Sequence, residues 1–327
     1  MRVKSWQILL PIIIGGVTIY YFVYRDGEIG LGQKNYMWAI FGSIAVILWW
    51  LSEALKLSVL SSSIGVDISL LDSLKVIFTG FFLGGVTVFS LGTFPGEYLS
   101  LLRIGVDADN ALGIVSIRGI MNGIVKGVIA IIVAILIRGY KSPLFKDIFY
   151  SIFLTYGIGI FMVYFIIFSK HKYAIKIRDY ITKGLNFLEK RYKKISEHIG
   201  KLRTALISQS ERNYTSIFHN WLPILFTYMI SCTILFSLPI FISRFIGTDV
   251  KPIDAIILQI TFYITQSYLP TPGGSGIVEL GYNYFLREVS GAGSTEFIIL
   301  LRFFTFYLPL LVGGLITFSL INRRRIA

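Results

Sequence analysis

One cysteine and three histidines in 327 residues leave little for redox or metal chemistry. Cys232 stands alone in an apolar run, so it can form neither an intrachain disulfide nor a cysteine metal site. His171, His198 and His219 are scattered through one polar stretch without metal-ligand spacing, and neither a metal nor a cofactor is expected. Charge is sparse too: 15% of the residues are Asp, Glu, Lys or Arg, against about 25% in soluble proteins. The chain has no nucleotide-binding glycine loop, no Gly-x-Ser-x-Gly elbow and no His-Glu-x-x-His zinc site. No catalytic residue is assigned, and enzyme chemistry is the weaker expectation.

Apolar residues fill the space that charge leaves. They make up 54% of the chain, the mean hydropathy is +0.71, and runs of about 20 apolar residues recur along the whole length. The fold class expected is an all-α polytopic membrane protein, a single integral membrane domain over 1–327. The net charge of +13 does not point to nucleic acid, because the cations sit in loops beside apolar runs. That is the pattern of positive cytoplasmic loops in a multi-pass protein of the cell membrane.

Apolar runs lie near Trp6–Tyr24, Tyr36–Leu51 (with helix continuing toward Leu60), Leu74–Leu91, Ala111–Ile137, Ile148–Ser169, Trp221–Ile246, Ile253–Tyr268 and Phe297–Ile321. The first has no small-residue cleavage site after it and reads as an uncleaved anchor. The polar stretch 170–220 carries a seven-residue apolar period at Ile181, Leu188, Ile195 and Leu202 among many lysines and arginines. It reads either as a cytoplasmic helical excursion or as a surface helix drawn to an anionic membrane surface.

Two places break the helical pattern: Gly92–Glu97 in the first half, 1–169, and Leu269–Glu279 in the second, 221–327. Proline and glycine forbid a continuous helix there. At membrane depth such backbone is tolerated only where protein or a watery cavity covers it. Counting every run as a full span sets the basic 170–220 loop and Arg323–Arg325 on opposite sides, against the charge rule. If 74–104 and 253–288 are instead re-entrant hairpins from opposite faces, both termini and the basic loop fall in the cytoplasm. Six to eight transmembrane helices are therefore expected, with two proline- and glycine-broken hairpins in inverted halves.

Each break is followed by a glutamate, Glu97 or Glu279, and some twenty residues later by an arginine inside an apolar run, Arg118 or Arg302. Arg118, Asn122 and Lys126, spaced by four, form one polar stripe on a helix. A charge at the bilayer centre costs at least about 2.5–3.5 kcal/mol, so this stripe implies a hydrated or protein-lined interior. Two readings stand: a buried ion-pair scaffold with Arg118 matched to Glu97, or an anion subsite in which Arg118 and Lys126 address a phosphate. Arg302 pairs with Glu279, binds ligand, or does both. The helix beginning after Gly276 is expected to aim free backbone amides at an anionic group.

These motifs resemble the flippase-like transmembrane family named for lysylphosphatidylglycerol synthase, represented by the N-terminal half of the bacterial multiple peptide resistance factor. The resemblance rests on Pro95-Gly96-Glu97 with Arg103, on Arg118, on Leu269–Glu279, and on Arg302 with Thr305 and Tyr307. Where the family usually shows Glu-Arg followed by Asp, this chain has Ile117-Arg118 and then Asn122. The resemblance implies lipid translocation or a related role in a lipid pathway, without synthase activity. A phospholipid or lipid-linked headgroup is expected to meet Glu97, Arg103, Arg118, Asn122, Lys126, Pro272, Gly273, Gly274, Gly276, Glu279, Arg302 and Tyr307. The alternative is a membrane enzyme or accessory subunit of glycolipid or headgroup synthesis; a separate synthase or glycosyltransferase is a candidate partner.

Overall fold

The computed structural model describes residues 34–136, 221–248, 250–290 and 295–322, with isolated helical positions at Ile13, Gly16, Val17 and Tyr20. The expected spans over 6–24 and 148–169 and the basic stretch 170–220 lie outside the described residues, apart from those isolated positions. Among the described residues every regular element is helical.

The first half begins with α1 (Tyr36–Ser63). Asn35 starts it by accepting a hydrogen bond from the Met37 N–H at 3.2 Å, which satisfies one of the donors a helix start leaves free. The helix does not stop where the apolar run thins near Leu51 but continues through Glu53 and Lys56. A shorter arm, α2 (Leu70–Gly85), is capped by Ser69. A turn over Val88–Ser90 leads into the returning arm α3 (Thr93–Arg103). Pro95 falls in the first turn of α3, where its missing N–H breaks no helical bond. The arms run antiparallel and very close: a Cβ on Gly92 would lie 2.1 Å from the Leu83 carbonyl oxygen. A long helix, α4 (Ala108–Leu136), closes the half.

The second half repeats this order. A long α5 (Trp221–Ile246) precedes a short arm α6 (Pro252–Thr265). A broken stretch with 3-10 turns at Gln266–Tyr268 and Pro272–Gly274 follows, and the returning arm is α7 (Ile277–Ser290). The closing helix is α8 (Thr295–Arg302), joined through a π-helical turn at Phe303–Tyr307 to α9 (Leu308–Asn322). Four helices among the described residues are long and apolar enough to cross a membrane: α1, α4, α5 and the α8–α9 continuum. The arms α2 and α3 are shorter, about 24 Å and 16 Å at 1.5 Å per residue, against a hydrocarbon core of about 30 Å.

The halves interlock. α1 packs along α5 in the opposite sense, with Asn35 N–H bonded to the Phe245 carbonyl at 3.1 Å near one end and Ser231 bonded to Glu53 at 2.7 Å further along. α2 packs antiparallel on α9, where Gly85 sits against Leu310 and Gly313 against the Phe78 carbonyl. α6 likewise contacts α4. Each hairpin's first arm thus lies against the long helix that closes the other half. The tips of the two hairpins touch: the Phe89 N–H donates to the Leu269 carbonyl at 3.3 Å.

Candidate functional site

The meeting of the tips builds the site. A cavity of about 440 Å³ lies there, walled by residues of both halves. Its polar wall includes Glu53, Glu97, Arg118, Asn122, Lys126, Gln259, Gln266 and Ser267. All three members of the α4 stripe reach it. Phe89, Leu91 and Phe94 of the first hairpin form part of its apolar wall, and each is at least 40% exposed.

The first ion cluster is centred on Arg118, which is 5% exposed. One terminal nitrogen donates to Glu97 Oε1 and the other to Glu53 Oε2 at 3.0 Å. Glu53 Oε1 also accepts from Lys56 and from Ser231. Lys56 lies over the Tyr228 ring at 4.5 Å, and the Tyr228 hydroxyl reaches the Arg118 backbone carbonyl at 3.4 Å. Close approach is built in: a Cβ on Gly80 would lie 2.8 Å from Glu97 Oε1. Lys126 differs from its neighbours. It donates to Ser267 Oγ at 3.1 Å and sits 4.7 Å from the Tyr263 ring centre, with no carboxylate partner among the described residues.

The second cluster is closed. Glu279 is fully buried and Arg302 is 2% exposed. Arg302 Nε donates to Glu279 Oε1 at 2.8 Å, its terminal nitrogen donates to the Gly273 carbonyl at 3.1 Å, and its guanidinium stacks 4.3 Å from the Phe306 ring centre. Tyr307 donates to Glu279 at 3.3 Å. The other Glu279 oxygen accepts the Gly276 N–H at 2.7 Å. The expectation of free amides at the start of α7 therefore needs correction at Gly276: that amide is occupied by the carboxylate of its own helix. The mimicry is physical, since a helix start attracts any nearby anion, and Glu279 is the nearest. Gly273, at φ +59°, is fixed by sterics, because a Cβ there would fall 2.0 Å from the Phe306 ring.

Residues 8–313 match the family described as the lysylphosphatidylglycerol synthase TM region. The chain belongs to that family. It is also 24% identical over 319 residues to a UPF0104 membrane protein of Archaeoglobus fulgidus, a match covering 94% of this chain and 95% of the relative. No solved structure matches. The family range takes in both hairpins and both ion clusters, so the resemblance read from Pro95–Glu97 and Leu269–Glu279 extends over nearly the whole chain, which is an integral membrane protein.

The expected site residues fall into three groups. Glu97, Arg118, Asn122, Lys126 and Gly273 line the cavity. Pro272, Gly274 and Gly276 of the second tip, Glu279 of α7, and Arg302 and Tyr307 of the closing helix pack together and are not part of the cavity lining. Arg103 is exposed and donates to the Leu320 carbonyl at 2.6 Å, tying the end of α3 to α9. Sequence reasoning passed over Glu53, Lys56, Ser231 and Gln259. The signal for the first two was a Glu and a Lys three apart inside an uninterrupted helical pattern, with apolar residues on both sides.

Proposed function

We propose that the protein is a lipid translocase of the flippase type, which carries a phospholipid or lipid-linked headgroup between leaflets through the cavity where the hairpin tips meet. The observation that carries this reading is the cavity itself: its lining combines a surface of charged and amide side chains with one of exposed aromatic and aliphatic residues of the first hairpin. A headgroup fits the first surface and acyl chains the second. The arms are too short to cross the hydrocarbon core comfortably, and their tips touch. Both facts support hairpins that enter from opposite faces and a fixed site near the midplane; the basic 170–220 stretch and Arg323–Arg325 support cytoplasmic termini.

In this reading Glu53 and Glu97 are neutralised by Arg118 and Lys56, and the four hold a polar wall in place. Glu279 and Arg302 shape the second tip. Removing water from a lipid headgroup is costly, and a pre-formed polar wall offsets part of that cost. Tip contact is the natural place for alternating access, because it holds the two sides apart through a single backbone hydrogen bond among the described residues.

The test is movement of labelled phospholipid in reconstituted vesicles. Gly119 lines the cavity, and a Cβ there would meet nothing within 4 Å, so Gly119→Phe can fill the space without a clash at its first atom. The parent should move lipid and Gly119→Phe should not, with thermal unfolding unchanged. Equal transport by the two contradicts the proposal. A new headgroup species in lipid mass spectrometry, without transport, would mark an enzyme instead.

A further inference from the structure

We infer that the cavity selects lipids whose headgroup carries one net negative charge on a phosphodiester, and that Lys126 is the residue that sets this preference. The inference rests on the translocase reading for its ligand but has its own carrier, which is charge balance. Among the described residues around the cavity, Arg118 and Lys56 balance Glu53 and Glu97 through direct ion pairs. Arg302 balances Glu279 behind the wall. Lys126 alone is left over.

An uncompensated ammonium in a membrane interior is costly. Lys126 is stabilised in part by the Tyr263 face and by Ser267. An ammonium has three donors, and one hydrogen bond to a hydroxyl does not satisfy them. A second observation points the same way. The Nε–H of Arg118 is buried without an acceptor in the structure, on a residue that lines the same cavity. Asn122 lies one helical turn from each. The stripe therefore carries an unpaired guanidinium N–H, an amide and a cation along about 12 Å of helix, while the two acids of the cavity wall, Glu53 and Glu97, are already occupied by other cations.

A phosphodiester supplies acceptor oxygens and the single negative charge that closes the balance. A zwitterionic headgroup brings a second cation into a cavity that already has one in excess, and the described carboxylates there are all paired. A cationic headgroup makes that excess worse. Lys126 thus acts by net charge rather than by shape, and arginine can replace it where glutamine cannot.

The experiment uses the full chain in detergent, binding short-chain phosphatidylglycerol and short-chain phosphatidylcholine, with inorganic phosphate as a third ligand. The parent should prefer phosphatidylglycerol by about 10- to 100-fold, the ratio expected for one buried hydrogen bond to a charged group. Lys126→Gln should bring the two lipids within about 3-fold of each other, and Lys126→Arg should restore most of the preference. Equal binding of both lipids by the parent, or an undiminished preference in Lys126→Gln, overturns the inference. If inorganic phosphate binds as tightly as the lipid and with the same dependence on Lys126, the site takes a free anion and the lipid assignment falls. Failure here is separable from failure of the translocase reading. Vesicle transport of both lipids at equal rates would remove the selectivity and leave transport standing. Lys126-dependent binding without transport would do the reverse.

Discussion

The two hairpins use one plan and reach different ends. In each, a proline and glycine break precedes a glutamate on the returning arm, and an arginine on the following long helix pairs with it: Glu97 with Arg118, 21 residues apart, and Glu279 with Arg302, 23 apart. The first pair opens onto the cavity and recruits a second acid and a lysine from α1. The second is sealed, with its spare hydrogen bonds used on its own tip. The tips differ in the same direction. The second turns on Gly273, Gly274 and Gly276 at positive φ, where glycine is at ease, whereas the first turns on Phe89 and Ser90 at φ +53° and +52°, where a side chain is strained. One copy has become a clamp, and the other keeps strain and charge beside open space.

The sharpest way to break this comparison is to remove each arginine. Arg118→Met leaves two buried acids short of a partner and should cost about 3–5 kcal/mol, measured by unfolding in mixed micelles. Arg302→Met should fall at the lower end of that range, about 3 kcal/mol, because Glu279 keeps the Gly276 amide and Tyr307. The reverse order would mean that the sealed cluster holds the fold more than the open one does.

The tips come next. Gly273→Ala combines a positive φ with a clash against Phe306 and should cost about 2–4 kcal/mol. Ser90→Gly relieves a strained φ while adding freedom to the unfolded chain, so it should lie within about 1 kcal/mol of the parent in either direction. A large loss at Ser90 would show that its side chain, not its backbone, matters.

The smallest contrast separates the two lysines. Lys56→Gln removes a buried ion pair from Glu53 and should cost about 1.5–3 kcal/mol. Lys126→Gln breaks no ion pair among the described residues, and a glutamine can still reach Ser267, so its stability should stay within about 1 kcal/mol of the parent. Its effect belongs to ligand binding.

Much of this plan could be read from the residues in order. The breaks at 92–97 and 269–279 follow from proline and glycine chemistry, and the four-residue spacing of Arg118, Asn122 and Lys126 placed them on one helical face. The repeat of break, glutamate and arginine led to both ion pairs. Periodicity also located α5 and the α8–α9 continuum closely, since a long apolar helix has little else to be. Glu53 was not visible as a site residue. Its partners Arg118 and Ser231 lie 65 and 178 residues away, and a local pattern carries no information about contacts that distant. The apolar run thins at its position, which reads as a helix reaching the membrane surface. The π-helical turn after Arg302 was equally hidden. It inserts a residue into an otherwise ordinary apolar helix, a device frequent at functional sites, and it brings Phe306 and Tyr307 onto the clamp through packing rather than through any composition of their own.

The most direct test of the central claim, a hydrated cavity of net positive charge between the tips, is the reactivity of a single thiol at Asn122. Cys232, the chain's one cysteine, is buried, so Asn122→Cys places the accessible thiol where the stripe faces the cavity. Small anionic and cationic methanethiosulfonates are compared, each rate taken relative to the same reagent with a free thiol in water. The account predicts modification by both, with the anionic reagent favoured over the cationic one, and a loss of that bias in the background of Lys126→Gln. No modification, or a cationic reagent favoured over the anionic one, would contradict it.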